Sequence, residues 1–99
     1  MFATNEVETK KVFQIEAYSN PFTDKAFVEF TPKQNNRVII ELYTNTGALV
    51  RVLFDQEAQA SQPYQVIVDG LGMMTGTYYL IVKTINPNEL YSNKLALIK

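Results

Sequence analysis

Two glutamates, Glu29 and Glu41, are the first residues whose type and spacing could do chemistry. Each sits in a short apolar run, and a pair of carboxylates on neighbouring strands is how glycosidases protonate one side of a sugar bond while attacking the other. The alternation of their runs puts both on outward faces, where a solvated glutamate is the ordinary occupant. No other catalytic set accompanies them. The chain has no histidine and no cysteine, which removes thiolate nucleophiles, histidine-based triads and the usual zinc sites. Its serines, Ser19, Ser61 and Ser92, lie in neither a G-x-S-x-G nor an S-x-x-K context. Asp69-Gly70-Leu71-Gly72 precedes no helical pattern, so it reads as turn chemistry rather than a phosphate loop. The expectation is a protein without enzymatic activity, metal or cofactor.

Aromatic residues offer a second kind of site. Phe30, Phe54 and Tyr78 fall on inward positions of their runs, whereas Phe27, Tyr43 and Tyr79 fall on outward ones. Three outward rings could form a platform for sugar rings, or could serve as the cross-strand pairs that stabilise a sheet. Charge narrows the partners further. Nine basic and ten acidic side chains give a net charge of -1, with no basic stripe to follow a phosphate backbone, so nucleic acid is not expected. No apolar run is long enough to span a membrane, and the N-terminus lacks a basic-then-apolar signal; an export signal would have to lie upstream.

The elements that position these residues are short and β-rich. Strands are predicted over Val12–Tyr18, Lys25–Thr31, Arg37–Tyr43, Leu49–Phe54, Tyr64–Asp69, Thr77–Ile85 and Tyr91–Ile98, with residues 1–11 as a polar linker or N-terminal extension and residues 12–99 as one domain. Ala26, Val28 and Phe30 share one face of the second run, and Val38, Ile40 and Leu42 one face of the third. Tyr78, Leu80, Val82, Leu95 and Leu97 complete the expected core. Asp55–Ser61 (DQEAQAS) reads as a loop. Asn45-Thr46-Gly47 has the composition of a hairpin turn with glycine in the left-handed position. Asn86-Pro87-Asn88-Glu89 reads as the turn joining the last two strands, which makes them antiparallel neighbours. Seven short strands with turns every 8–12 residues fit an all-β fold, a seven-stranded immunoglobulin-like β-sandwich of two antiparallel sheets, with a small barrel as the alternative.

The last run, Leu90 to Lys99 (LYSNKLALIK), is built like a core strand although it closes the sequence. Chain ends are usually polar and frayed, so such a run is either a structural staple or something a partner reads. Taken in order, Asn20-Pro21-Phe22, then Val28-Glu29-Phe30, then Val38-x-Ile40-x-Leu42-Tyr43-x-x-x-Gly47-x-Leu49-Val50, then Thr75-Gly76-Thr77-Tyr78-Tyr79, and finally Lys94-Leu95-x-Leu97-Ile98-Lys99 resemble the C-terminal sorting domain of the Bacteroidetes type IX secretion system. The similarity covers about residues 18–99. Each motif is weak alone; their order and spacing are specific.

That resemblance implies a non-catalytic signal domain that directs an attached cargo through the periplasm and across the outer membrane. Its implied partners are the type IX translocon, a sortase-like peptidase that commonly removes the domain, the parent cargo, and the anionic lipopolysaccharide that receives the cargo at the cell surface. Lys94, Leu95, Ala96, Leu97, Ile98 and Lys99 would be the recognised segment, and Asn20, Pro21, Gly47, Gly76 and Tyr78 motif or structural positions, with Gly47 and Gly76 fixing turns. Two positions depart from the family pattern: Ser19 stands where a proline commonly opens the first landmark, and Val68 where an aromatic often precedes the aspartate. Both changes are mild, and they leave open a machinery-associated relative that keeps its domain rather than losing it. The short final hairpin could exchange between copies to give a strand-swapped homodimer. The alternative is an accessory module of a secreted protein, a spacer or a carbohydrate binder using Phe27, Tyr43 or Tyr79.

Overall fold

The computed structural model describes residues 13–18, 21–85 and 88–99. These form strands joined by short turns: β1 (Phe13–Tyr18), β2 (Lys25–Pro32), β3 (Asn36–Thr44), β4 (Leu49–Ala58), β5 (Tyr64–Asp69), β6 (Gly76–Ile85) and β7 (Asn88–Leu97). One sheet has the order β1-β2-β5 and the other β4-β3-β6-β7, with every pairing antiparallel. The expected linker, Val12, Ser19, Asn20 and the Asn86-Pro87 half of the last turn lie outside the described residues.

Period-2 alternation explains why the sheets face each other. In β2, Ala26, Val28 and Phe30 are buried while Lys25 and Glu29 are exposed. In β3, Val38, Ile40 and Leu42 are buried; in β6, Tyr78, Leu80 and Val82; in β7, Leu95 and Leu97. These side chains meet Val68 of β5 in one apolar core between the sheets, as a half-buried antiparallel sheet requires. A three-ring cluster bridges the layers: Phe30 stacks on Tyr64 with centroids 5.2 Å apart and meets the edge of Phe54, also at 5.2 Å. Phe54 in turn lies edge-on to Tyr64. At a second point, Arg51 of β4 donates from Nη1 to the Asp69 carbonyl at the end of β5.

Among the described residues, two expected boundaries move by more than one residue. Asp55–Ser61 is not all loop, because β4 continues to Ala58. Its end shows no alternation in sequence: Asp55, Gln56 and Glu57 are all exposed, and only Ala58 returns to the core. The register with β3 and the Arg37–Asp55 ion pair, at 2.7 Å, hold it extended. β7 begins at Asn88 rather than Tyr91, so Asn88 and Glu89 belong to the strand and Ile85 faces Asn88. In β4, two register shifts, between Ile40 and Glu41 and between Leu42 and Tyr43, bulge the edge of the larger sheet and so disfavour pairing with another chain.

The turn glycines separate into two kinds. Gly47 has φ of 95°, and its N–H donates to the Thr44 carbonyl while the Thr44 N–H donates to the Ala48 carbonyl; only glycine occupies that conformation without strain. Gly76 does not fix a turn as expected. It opens β6, has no positive φ, and a Cβ there would meet nothing within 4 Å. Gly47→Ala should therefore lower unfolding free energy by about 1–2 kcal/mol. Gly76→Ala should leave it within about 0.5 kcal/mol. The midpoints of urea denaturation for the two variants provide the check.

Candidate functional site

The last strand carries the candidate signal segment, and its neighbours decide what each residue can present. Leu95 and Leu97 point into the core opposite Tyr78 and Gly76. Lys94, opposite Tyr79, is exposed, and Ala96, opposite Thr77, is half-buried. Beyond the strand, Ile98 and Lys99 are exposed but not loose: Ile98 N–H donates to the Phe22 carbonyl at 2.9 Å, and Lys99 N–H to Thr75 Oγ1 at 3.1 Å.

Phe22 is the residue that ties the first landmark to the last. It makes a parallel bridge with Leu97, its N–H donating to the Ala96 carbonyl at 2.9 Å while its own carbonyl receives Ile98. Its ring is buried. Asp24, just beyond it, accepts from Gly70 N–H at 2.8 Å. Gly70 fits here because of its missing side chain: a Cβ would stand 3.1 Å from the Asp24 carbonyl oxygen and 3.3 Å from both Leu97 Cδ1 and Phe22 Cε2. In sequence, Gly70 reads as a turn residue and Phe22 only as the third residue of the first landmark. The Asp-Gly step after an apolar strand was a signal for a turn, not for close packing.

Tyr78 holds the neighbouring corner. Its hydroxyl donates to the Met74 carbonyl at 2.6 Å, closing the connection between β5 and β6, where Met73 is also buried as a plug. Thr44, Tyr78 and Leu95 are successive partners across β3, β6 and β7. The Gly47 hairpin, Gly76, Tyr78, the Phe22 clasp and the Leu95–Lys99 segment therefore gather at one end of the larger sheet. Of the motif positions, Pro21 is exposed beside Phe22.

Neither the carboxylate pair nor a platform of all three outward rings forms. Glu29 projects from the three-stranded sheet, where Gln65 Nε2 donates to it at 3.1 Å, and Glu41 from the four-stranded sheet; the sandwich lies between them. Phe27 is separated from Tyr43 and Tyr79 in the same way, so the three rings make no common platform. Tyr43 and Tyr79 are direct cross-strand partners. Beside them Glu41 Oε1 accepts from Lys83 Nζ at 2.8 Å and from the Tyr43 hydroxyl at 3.0 Å. The Lys83 bond, ahead of the opposing effect of burial, holds the Glu41 carboxyl below its ordinary range, and the same bond raises Lys83. Tyr43 is raised mainly by its bond to the carboxylate.

The strand order and shared core define the class: an all-β domain of two antiparallel sheets packed sandwich-fashion. Among solved structures, the crystal structure of dimeric latent PorU from Porphyromonas gingivalis contains a region of similar fold, with a TM-score of 0.68 and 17% sequence identity over 87% of this chain. The chain spans 9% of the length of that protein. At this identity the likeness is one of fold. No protein-family model matches the chain, and no curated protein does.

Two outcomes follow from this geometry. Because the folded pKa of Glu41 is depressed, its contribution to stability is present above the unfolded value, near 4.5, and is lost as pH falls through the lower folded value. Urea midpoints for the wild type should exceed those of Glu41→Gln at neutral pH, and the gap should close as the solution is acidified below that range. Tyr78→Phe should cost about 1 kcal/mol through the lost hydroxyl bond, measured by the same titration at neutral pH.

Proposed function

We propose that this chain is a non-enzymatic sorting domain of type IX secretion, which routes an attached cargo through the periplasm and across the outer membrane to the cell surface. The observation that carries the reading is the Phe22 clasp. It joins the first and last landmarks of the resemblance at one pole, with Leu95 and Leu97 in the core and Lys94, Ile98 and Lys99 turned outward. The landmark segments, distant in sequence, thus serve one local construction, and the final segment is both a core element and an accessible address.

Two further observations support the finer fold. The order β1-β2-β5 facing β4-β3-β6-β7 fits an immunoglobulin-like sandwich. Tyr78, near the start of β6, bonds back to Met74 in the corner after β5, as the tyrosine corner of such sandwiches does. The fold likeness to PorU, a type IX secretion protein, points the same way. The partners on this reading are the translocon, a sortase-like peptidase and the parent cargo, with anionic lipopolysaccharide receiving that cargo.

The test attaches the whole chain to the C-terminus of an exported fluorescent reporter in a host with type IX secretion. Surface display of the reporter is the expected result. Lys94→Ala together with Lys99→Ala, both at exposed positions where each change should move stability by no more than about 0.5 kcal/mol, should preserve the melting temperature and strand the reporter in the periplasm. Truncating Leu97 would be a poorer probe, since losing a buried leucine costs about 2–5 kcal/mol and confuses recognition with unfolding. Failure of the intact domain to export the reporter would overturn the proposal.

A further inference from the structure

The outer face of the four-stranded sheet carries a groove of about 440 Å³ that the sorting reading does not use. Tyr43 and Tyr79 stand side by side at one end, with Asn45 on the adjoining hairpin, and Ile81, Lys83 and Leu90 continue along it. From Tyr79 to Lys83 the strand rises about 13 Å at ~3.3 Å per residue, the reach of a short chain of ring-sized units rather than of one. Leu90 is 65% exposed. A leucine so placed, opposite Lys83 at the far end from the tyrosines, adds nothing to the core, yet gives that end of the groove an apolar wall.

The polar side of the groove is already organised. Tyr43 and Lys83, which line it, both donate to Glu41 Oε1 behind them, which leaves two of the three Lys83 ammonium hydrogens to donate and the Tyr43 oxygen to accept. The ion pair cancels its own charge. A cationic ligand would meet the Lys83 ammonium, and an anionic one would find that charge already neutralised by Glu41. A neutral molecule with many hydroxyls matches both donors and acceptors. Rings with an apolar C–H face and a hydroxyl rim suit tyrosine surfaces that are apolar in body and polar at the tip.

We propose that this groove binds a neutral oligosaccharide, stacked on Tyr43 and Tyr79 and hydrogen-bonded by Lys83 and Asn45, with Glu41 holding Lys83 and Tyr43 in place from behind. The site rests on the outer sheet face alone and stands or falls independently of export.

The experiment titrates the isotope-labelled chain with cellohexaose and, separately, maltohexaose to about 10 mM, the range of weak but specific association, and follows backbone amide resonances. Saturable shifts centred on Tyr43, Tyr79, Ile81 and Leu90 with at least one glycan are expected. Tyr79→Leu should weaken that binding about tenfold or more, a change of about 1.4 kcal/mol, with melting temperature recorded alongside. If Tyr79→Leu is unfolded, Leu90→Asn, at an exposed position, should weaken binding in the same assay. Absence of saturable shifts with both glycans overturns the proposal. Tighter binding of an oligogalacturonate than of either neutral glycan overturns it in favour of an anion site. Shifts of the same amides on dilution without any glycan assign the face to a second copy of the chain.

Discussion

The parallel bridge between Phe22 and Leu97 is the constraint on which the arrangement depends. Two backbone bonds across it lock the approach to β2 onto the edge of β7, so a segment leading into the smaller sheet becomes a part of the larger one. The sheets are then held together by more than apolar contact. Gly70 makes the closeness possible, since its absent side chain lets Phe22, Asp24 and Leu97 converge on the β5 exit. Burial of Leu95 and Leu97 follows, because the strand that carries them is fixed along its far edge as well as by β6. At the opposite side of the core, the Phe30, Phe54 and Tyr64 rings close the space where the two edge strands β4 and β5 leave it open.

The two broad faces of the sandwich are chemically unlike. On the smaller sheet Lys25 and Glu29 alternate with half-buried Phe27 and Thr31. On the larger, a hydrogen-bonded chain from Tyr43 through Glu41 to Lys83 crosses from β3 to β6 and lies against tyrosine and aliphatic surface. Such a chain is stiffened by its own bonds, because both donors converge on one carboxylate oxygen.

Much of the core was legible from alternation alone. Val28, Phe30, Val38, Ile40, Leu42, Leu80 and Val82 recur at every second position, and a half-buried sheet admits only one way of facing them. The Gly47 turn was equally legible, since a left-handed residue between two strands has few alternatives to glycine. What escaped depends on partners remote in sequence. The extension of β4 to Ala58 is imposed by β3 and by Arg37, neither of which leaves a mark on Asp55-Gln56-Glu57 itself. Gly70 and Gly76 look alike as letters but differ in surroundings, one crowded and one open. The division of Glu29 and Glu41, and of Phe27 from Tyr43 and Tyr79, onto opposite faces follows from which sheet each strand joins, and alternation carries no information about that. The candidate signal segment was legible as a strand, but its clasp to Phe22 was not.

The direction of the Phe22 pairing also sets how the domain bears load. In antiparallel hairpins such as β6–β7, tension at the open ends peels hydrogen bonds apart one after another. Phe22 and Leu97 run the same way, so tension between the segment preceding Phe22 and the segment holding Lys99 pulls along the bonds' shared plane and strains both of them together. A domain drawn through a narrow passage by its final strand would thus meet its resistance first at this clasp, in shear, before any strand of the core begins to yield.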